Sequence, residues 1–114
     1  VNVNVNRAEA LYQVKAMLGY YIGGMGSSIR NFHKELMARM GFPDEAEQIQ
    51  ELFMKGEREK AVAAVPERFA DEISLCGPRE RIREKLQDWE RSPVTSLLVN
   101  GDITLLRTMA ELVN

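Results

Sequence analysis

Only two segments of this 114-residue sequence have the composition of β-strands, and they lie near its two ends. In residues 1–6 valine alternates with asparagine, so a strand there would carry three valines on one face and three asparagines on the other. Residues 94–99, Val-Thr-Ser-Leu-Leu-Val, form the second segment. Because two parallel strands alone leave open edges, we expect further strands from the rest of a longer polypeptide or from other copies of this chain. A first residue of valine rather than methionine favours the longer polypeptide.

The residues between these two segments repeat with the period of an α-helix. Apolar side chains at helical spacing predict a first helix over residues 7–22, and the glycine pair that follows would end it. The predicted buried face of this helix consists of Leu11, Val14, Leu18 and Tyr21.

A second helix follows a segment rich in glycine and serine. Ser27 or Ser28 would act as its N-cap, and Gly41 would end it. The glycines between the two helices favour a tight turn with positive φ angles. The predicted buried face of the second helix consists of Ile29, Phe32, Leu36, Met37 and Met40.

Five further helices are predicted downstream, and the last of them would be capped by Asp102. Their predicted ranges are 43–55, 57–65, 67–75, 78–91 and 103–113. The helix over residues 78–91 would bury Ile82, Leu86 and Trp89. Since this helix leads directly into a strand and then into another helix, the order is that of a parallel α/β sheet. We therefore predict a helix-rich α/β fold in a single domain of residues 1–114.

The composition excludes several classes of partner. With 15 basic and 17 acidic residues interspersed, the net charge of −2 provides no basic surface for nucleic acid. No apolar run approaches the roughly 18 residues of a membrane span, and the start has no signal-peptide pattern. The single cysteine, Cys76, cannot form an internal disulfide, which fits a reducing compartment. We therefore expect a cytoplasmic protein without a nucleic acid or membrane partner.

The glycine-rich segment is also a candidate binding site. Residues 23–28, Gly-Gly-Met-Gly-Ser-Ser, could bring backbone N–H groups close to a phosphate at a helix N-terminus, but the Lys-Ser or Lys-Thr of a P-loop is missing. Arg30 and Lys34 would share a helix face and could hold an anion. His33, the only histidine, is an ordinary helix residue or a general acid or base, and it leaves no histidine pair for a metal. The sequence assigns no catalytic residue.

Six short segments, spread over most of the chain, carry a resemblance to a known family. They are residues 20–27 (Tyr-Tyr-Ile-Gly-Gly-Met-Gly-Ser), Asn31-Phe32, Met40-Gly41-Phe42, residues 49–52 (Ile-Gln-Glu-Leu), residues 61–66, and Leu75-Cys76-Gly77-Pro78 with Ile82. Together and in this order they resemble the C-terminal third of luciferase-like oxidoreductases, in particular the branch that depends on the deazaflavin coenzyme F-420.

This resemblance implies a (β/α)8 TIM barrel of which the chain supplies only the C-terminal part, without the N-terminal strands. Residues 1–5 would be the seventh strand, residues 78–91 the seventh outer helix, residues 94–99 the eighth strand and residues 102–113 the last helix. Residues 7–77 would be a helical insertion at the face where barrel enzymes keep their active sites. Such an insertion would act as a lid, a wall of the substrate pocket or a subunit contact.

The resemblance also implies a chemistry, namely hydride transfer to a small organic substrate, or its oxygenation, with reduced coenzyme F-420 or FMN as cofactor. The implied cofactor-binding residues are Gly23, Gly24, Met25, Gly26, Ser27, Arg30, Asn100 and Gly101. The last two follow the second strand, where barrels often bind phosphate, and a plain turn with Asp102 as helix cap is the alternative there. For the whole chain, the alternative is a catalytically silent, helix-rich module that associates with copies of itself.

Overall fold

The computed structural model describes all 114 residues of the chain, which form two short strands and seven helices. The elements are β1 (Asn2–Val3), α1 (Arg7–Gly24), α2 (Phe32–Arg39), α3 (Pro43–Met54), α4 (Arg58–Ala64), α5 (Glu67–Glu72), β2 (Cys76–Gly77), α6 (Arg79–Glu90) and α7 (Ile103–Val113). The predicted helix-rich α/β class with two parallel strands is confirmed, and the barrel stays a prediction. None of the seven helices combines the length and the apolar character that a membrane crossing requires.

The chain divides into two compact units. The first unit consists of Val1–Leu11 and Ser74–Asn114, and the second consists of Tyr12–Ile73. The second unit thus lies inside residues 7–77, the range that the resemblance implies as a helical insertion.

The two strands form a parallel pair in the first unit. Asn2 lies opposite Cys76, and Val3 lies opposite Gly77. The N–H of Asn4 extends the ladder by donating to the carbonyl oxygen of Gly77 at 2.9 Å. Each strand contains only two residues, so the six-residue strand predicted at the start of the chain is too long.

Two of the asparagines explain why the first strand is short. The side-chain oxygen of Asn4 accepts from the N–H of Asn6 at 2.8 Å. The side-chain oxygen of Asn6 accepts from the N–H groups of Ala8 at 3.1 Å and Glu9 at 3.4 Å. Asparagine side chains that bind nearby backbone in this way compete with a strand ladder and favour a helix start. The chain therefore turns into α1 soon after β1.

The second strand lies at Cys76–Gly77, and the prediction of a strand at residues 94–99 is wrong for this chain. Residues 94–99 have no regular secondary structure, and the backbone of residues 95–100 forms no hydrogen bond within the chain. A strand is maintained by hydrogen bonds to a neighbouring strand, and β1 pairs with β2 instead. The segment has β propensity but no strand partner in this chain.

The core of the first unit is formed mainly by α6 and α7. Ile82 and Leu86 are buried as predicted, and Trp89 packs against them. The same buried cluster also contains Leu75, Met109 and Leu112. On the surface, Arg79 of α6 and Glu111 of α7 form an ion pair of 2.7 Å.

The second unit is entirely helical, with α3 packed against both α2 and α4. Its buried apolar side chains include Leu18, Ile22, Met37, Ile49, Val65 and Phe69. The helix α1 includes the glycine pair and ends at Gly24, two residues beyond the predicted range. Of the four side chains predicted for the buried face of α1, Leu11 and Leu18 are buried, and Val14 and Tyr21 are half-buried.

The start of α2 differs from the prediction. The helix begins at Phe32, and its N-cap is Asn31 rather than a serine. Because the helix begins later than predicted, Ile29 lies in the preceding loop, where its side chain is 89% exposed, and Phe32 is 84% exposed in the first turn. Of the five side chains predicted to be buried on this helix, only Met37 is buried.

Candidate functional site

The loop between α1 and α2 is a closed turn, and we call residues 25–31 the glycine loop. The N–H of Ser27 donates to the carbonyl oxygen of Arg30 at 2.9 Å. The Oγ of Ser27 accepts from the N–H groups of Arg30 at 2.9 Å and Ile29 at 3.3 Å. Gly26 has a φ angle of +145°, and a Cβ atom there would lie 2.6 Å from the carbonyl oxygen of Arg30. The predicted turn with positive φ is confirmed, and position 26 requires glycine for both reasons.

This closed turn limits how the loop can bind an anion. The N–H groups of Ser27, Ile29 and Arg30 are hydrogen-bonded inside the loop. The loop also does not lead directly into a helix from the serines, because α2 begins only at Phe32. The predicted phosphate cradle of backbone N–H groups at a helix N-terminus therefore does not form at Ser27.

Two buried polar side chains fasten the glycine loop to the helices. Asn31, 3% exposed, donates from Nδ2 to the carbonyl oxygens of Ile22 at 2.7 Å and Tyr21 at 3.4 Å. Gln50 of α3, 4% exposed, donates from Nε2 to the carbonyl oxygen of Ser27 at 3.2 Å. Buried polar groups that are fully hydrogen-bonded specify one conformation, because every alternative leaves a polar group without a partner. The loop is thus attached to α3 at Ser27 and to the end of α1 at Asn31.

Lys34, which the sequence suggested as half of an anion clamp with Arg30, is engaged elsewhere. Its Nζ lies 2.6 Å from the Oε1 of Gln50 and 2.6 Å from a carboxylate oxygen of Glu47. The guanidinium group of Arg30, in contrast, has no carboxylate within ion-pair distance and no hydrogen bond. The predicted two-residue clamp is therefore wrong, and Arg30 alone is available to an anion.

A pocket of about 590 Å³ opens beside the glycine loop. Its lining consists of Met25, Gly26, Arg30, Phe32, His33 and Glu35. The imidazole of His33 packs against the ring of Tyr21, with the ring centroids 4.8 Å apart. The volume lies within the range of roughly 300–1,000 Å³ that is usual for small-molecule sites. The pocket can offer a ligand one cation, one carboxylate and two ring side chains.

The structure brings only part of the implied cofactor-binding set together. Met25, Gly26 and Arg30 line the same pocket. Ser27 does not line the pocket, and its side chain organises the turn. Asn100 and Gly101 belong to the first unit.

Gly23 and Gly24 serve the packing of α1. A Cβ atom at Gly23 would lie 2.4 Å from the Cβ of Phe53, and one at Gly24 would lie 2.6 Å from the Cε1 of the same ring. Neither glycine lines the pocket. The absence of side chains at these two positions lets α1 approach Phe53 of α3 closely.

Asn100 and Gly101 precede α7. The side chain of Asp102 caps this helix, accepting from the N–H of Leu105 at 2.8 Å. A Cβ atom at Gly101 would lie 2.3 Å from the Cδ2 of Leu105, so the glycine leaves room for that side chain. The prediction of a turn with a helix cap is confirmed, and phosphate binding at this loop stays a prediction.

Phe32 and Glu35 also line the pocket, and neither belongs to the set of site residues that the sequence predicts. A signal was present, because asparagine is as strong an N-cap as serine. A helix capped by Asn31 places both residues in its first turn, beside the glycine loop. A cap at Ser27 or Ser28 would instead place the first turn within residues 28–32.

A second pocket, of about 390 Å³, lies in the first unit between α6, α7 and residues 94–99. Its lining is mostly apolar and includes Leu86, Trp89 and Met109. Neither Asn100 nor Gly101 takes part in it. No sequence pattern predicted this pocket, since it depends on how the unpaired residues 94–99 pass over the two helices.

The helix-rich α/β class is consistent with the family that the sequence resembles. The family model of the luciferase-like monooxygenases matches residues 1–96, and the chain belongs to this family. Over 114 residues the chain is 31% identical to a Mycobacterium tuberculosis protein that is provisionally named a coenzyme F-420-dependent oxidoreductase. This match covers 99% of the chain and 33% of the relative, so the chain spans about a third of the length of the curated relative. No solved structure matches the chain.

Proposed function

We propose that this chain supplies one wall of the cofactor pocket in a luciferase-like oxidoreductase that uses a reduced flavin or deazaflavin. The observation that carries the proposal is the pocket beside the glycine loop, where Met25, Gly26 and Arg30 lie together. The family supports the redox class of the reaction. The name of the mycobacterial relative favours coenzyme F-420 over FMN.

The side chains of the pocket fit the two chemical parts of such a cofactor, a phosphate and a planar ring. A guanidinium group binds a phosphate through two parallel hydrogen bonds, and Arg30 is exposed without a carboxylate partner. Phe32 and His33 offer rings on which a planar group can stack. Glu35 disfavours an anion in its own vicinity. The pocket therefore suits a ligand whose phosphate lies at Arg30 and away from Glu35.

The residues of this chain bind and orient the cofactor, and none of them is assigned a proton transfer. When bound, the reduced flavin or deazaflavin supplies the hydride or activates oxygen. Arg30 would hold the anionic end, and the glycine loop would keep water from one side of the cofactor. The substrate would be a small organic molecule, and its reaction would require the residues of the whole enzyme.

Replacement of Arg30 by glutamine tests this assignment. We expect the wild-type chain to bind coenzyme F-420 or FMN with a micromolar Kd in a fluorescence titration. Arg30→Gln should weaken binding by about tenfold or more, because a hydrogen bond to a charged group contributes ~1.5–3 kcal/mol. Arg39→Gln is the matched control, since Arg39 lies at the end of α2 outside the pocket lining. The proposal would be contradicted if the wild-type chain bound neither cofactor saturably. It would also be contradicted if the Arg30→Gln variant bound with the same affinity as the wild type.

A second function is favoured by one observation in the first unit. The backbone of residues 95–100 forms no hydrogen bond within the chain, and the side chain of Leu98 is fully exposed. An unpaired segment of high β propensity and no charge is a template for strand addition. We infer, as the alternative, a catalytically silent module in which copies of the chain associate through this segment. Light scattering of the purified chain tests it.

A further inference from the structure

We propose that Gln50 is a positioning residue, which holds the glycine loop in the conformation that lines the pocket and thereby sets the ligand affinity of the pocket. Gln50 itself lies outside the pocket lining. Its effect on the loop follows from contacts within the second unit, whereas its effect on a ligand rests on the proposed cofactor function.

A continuous chain of hydrogen bonds leads from α3 to Arg30. The Nε2 of Gln50 donates to the carbonyl oxygen of Ser27 at 3.2 Å. Ser27 in turn binds Arg30 twice, because its N–H donates to the Arg30 carbonyl oxygen and its Oγ accepts from the Arg30 N–H, both at 2.9 Å. The backbone position of Arg30, and hence the origin of its side chain at the pocket, depends on where Gln50 holds Ser27.

The orientation of the Gln50 amide is determined by Lys34. The Oε1 of Gln50 accepts from the Nζ of Lys34 at 2.6 Å, and Glu47 holds the same Nζ at 2.6 Å. A lysine ammonium group can only donate, so it selects the oxygen of the amide and directs the NH2 group to Ser27. Since Gln50 is buried, water does not readily replace either bond.

The loop has a separate attachment at its end, which makes the role of Gln50 testable. Asn31 caps α2 and donates to the carbonyl oxygen of Ile22 at 2.7 Å without involving Gln50. Loss of the Gln50 contact should therefore release residues 26–30 while α2 stays capped.

Gln50→Glu removes the donor and preserves the shape of the side chain. A carboxylate keeps the contact with Lys34, but it cannot donate to the carbonyl oxygen of Ser27 and repels it. Gln48→Glu is the matched control, because it makes the same change at an exposed position of the same helix.

The first measurement is hydrogen exchange of individual backbone amides by NMR on the full chain without ligand. We expect the N–H groups of Ile29 and Arg30 to exchange about tenfold faster in the Gln50→Glu variant, because their acceptor, the Oγ of Ser27, is no longer held in place. Exchange in α6 and α7 should not change, and the Gln48→Glu variant should match the wild type throughout.

The second measurement is the affinity for coenzyme F-420 and for FMN by fluorescence titration. We expect the Gln50→Glu variant to bind about tenfold more weakly and the Gln48→Glu variant to bind like the wild type. In the wild type, bound cofactor should also slow the exchange of the Ile29 and Arg30 amides.

Each outcome decides one part of the proposal. Unchanged loop exchange in Gln50→Glu overturns it, and faster exchange with unchanged affinity overturns the link between loop and ligand. If the wild type binds neither cofactor but the loop responds as expected, the proposed function fails while Gln50 still positions the loop. If Gln50→Glu does not fold, Gln50→Met removes the same donor with an uncharged side chain of similar length, and unchanged loop exchange in that variant overturns the proposal.

Discussion

Gly23 has a packing role that differs from its role as a helix terminator. A Cβ atom there would lie 2.4 Å from the Cβ and 2.6 Å from the Cγ of Phe53, which are the base of that side chain. At Gly24 a Cβ atom would meet the far end of the ring, at 2.6 Å from Cε1. The base of a side chain is fixed by its backbone, whereas the end of a ring can rotate away. The two neighbouring glycines should therefore differ in their tolerance of alanine.

We expect Gly23→Ala to lower the free energy of unfolding by ~1–3 kcal/mol because of overpacking against Phe53. This loss should appear although alanine has the higher helix propensity, by about 1 kcal/mol. Gly24→Ala should cost less and serves as the comparison. Urea unfolding followed by circular dichroism measures both, and a Gly23→Ala chain as stable as the wild type would show that Phe53 moves freely.

Helix ends in this chain are determined mainly by residues close in the sequence. The start of α7 is an example, because a turn precedes the helix and the side chain of Asp102 accepts from the N–H group of Leu105, three residues ahead. At α2 the same rule applies, but several candidate caps are present, and Asn31 is selected because its amide also binds the carbonyl oxygen of Ile22. A serine hydroxyl in that place is too short to satisfy both.

We expect Asp102→Ala to lower the free energy of unfolding by ~1 kcal/mol, because the N–H of Leu105 loses its acceptor. Asp102→Asn should be nearly neutral, since its side-chain oxygen can accept the same hydrogen bond. Thermal unfolding followed by the fluorescence of Trp89, which lies in the same unit, measures the difference. Equal losses in the two variants would mean that the charge of Asp102, and not its hydrogen bond, stabilises the helix.

As a whole, the chain contains a segment of high β propensity, residues 94–99, with which no strand of the chain pairs. Its only sheet has two strands of two residues each, and the backbone of residues 95–100 is unpaired. Exposed apolar side chains lie in both units, among them Leu98 in the first and Met54 in the second. Unpaired strand segments and exposed apolar side chains are typical of surfaces that contact a partner.

We expect the purified chain to be oligomeric in light scattering, and Leu98→Lys to shift it towards the monomer. A lysine on an unpaired strand segment opposes strand addition, because pairing would bring charges together. Met54→Lys is the control, as it places the same charge on an exposed apolar site at the end of α3. A monodisperse wild-type monomer would contradict the self-association alternative. If both lysine variants shifted the oligomer towards the monomer equally, residues 94–99 would not be the specific contact.

Much of the secondary structure could be predicted from the sequence, because helices depend on short-range contacts. Helical hydrogen bonds join residues four apart, and caps act over three, so local patterns predict the cap of α7 at Asp102 and the end of α1 to within two residues. The family was also recognisable from short segments. Of the candidate site, Met25, Gly26 and Arg30 belong to the set that the resemblance implies, and they line one pocket.

The sequence by itself thus determined the helices, most of their ends and the family. Only the tertiary structure decided that β1 pairs with Cys76–Gly77, that Phe32 is exposed, and that Gln50 reaches Ser27 across 23 positions in the sequence. These features depend on contacts between residues far apart in the chain. A local sequence pattern does not specify such contacts, because the same segment forms a strand when a neighbouring strand pairs with it and is irregular when none does.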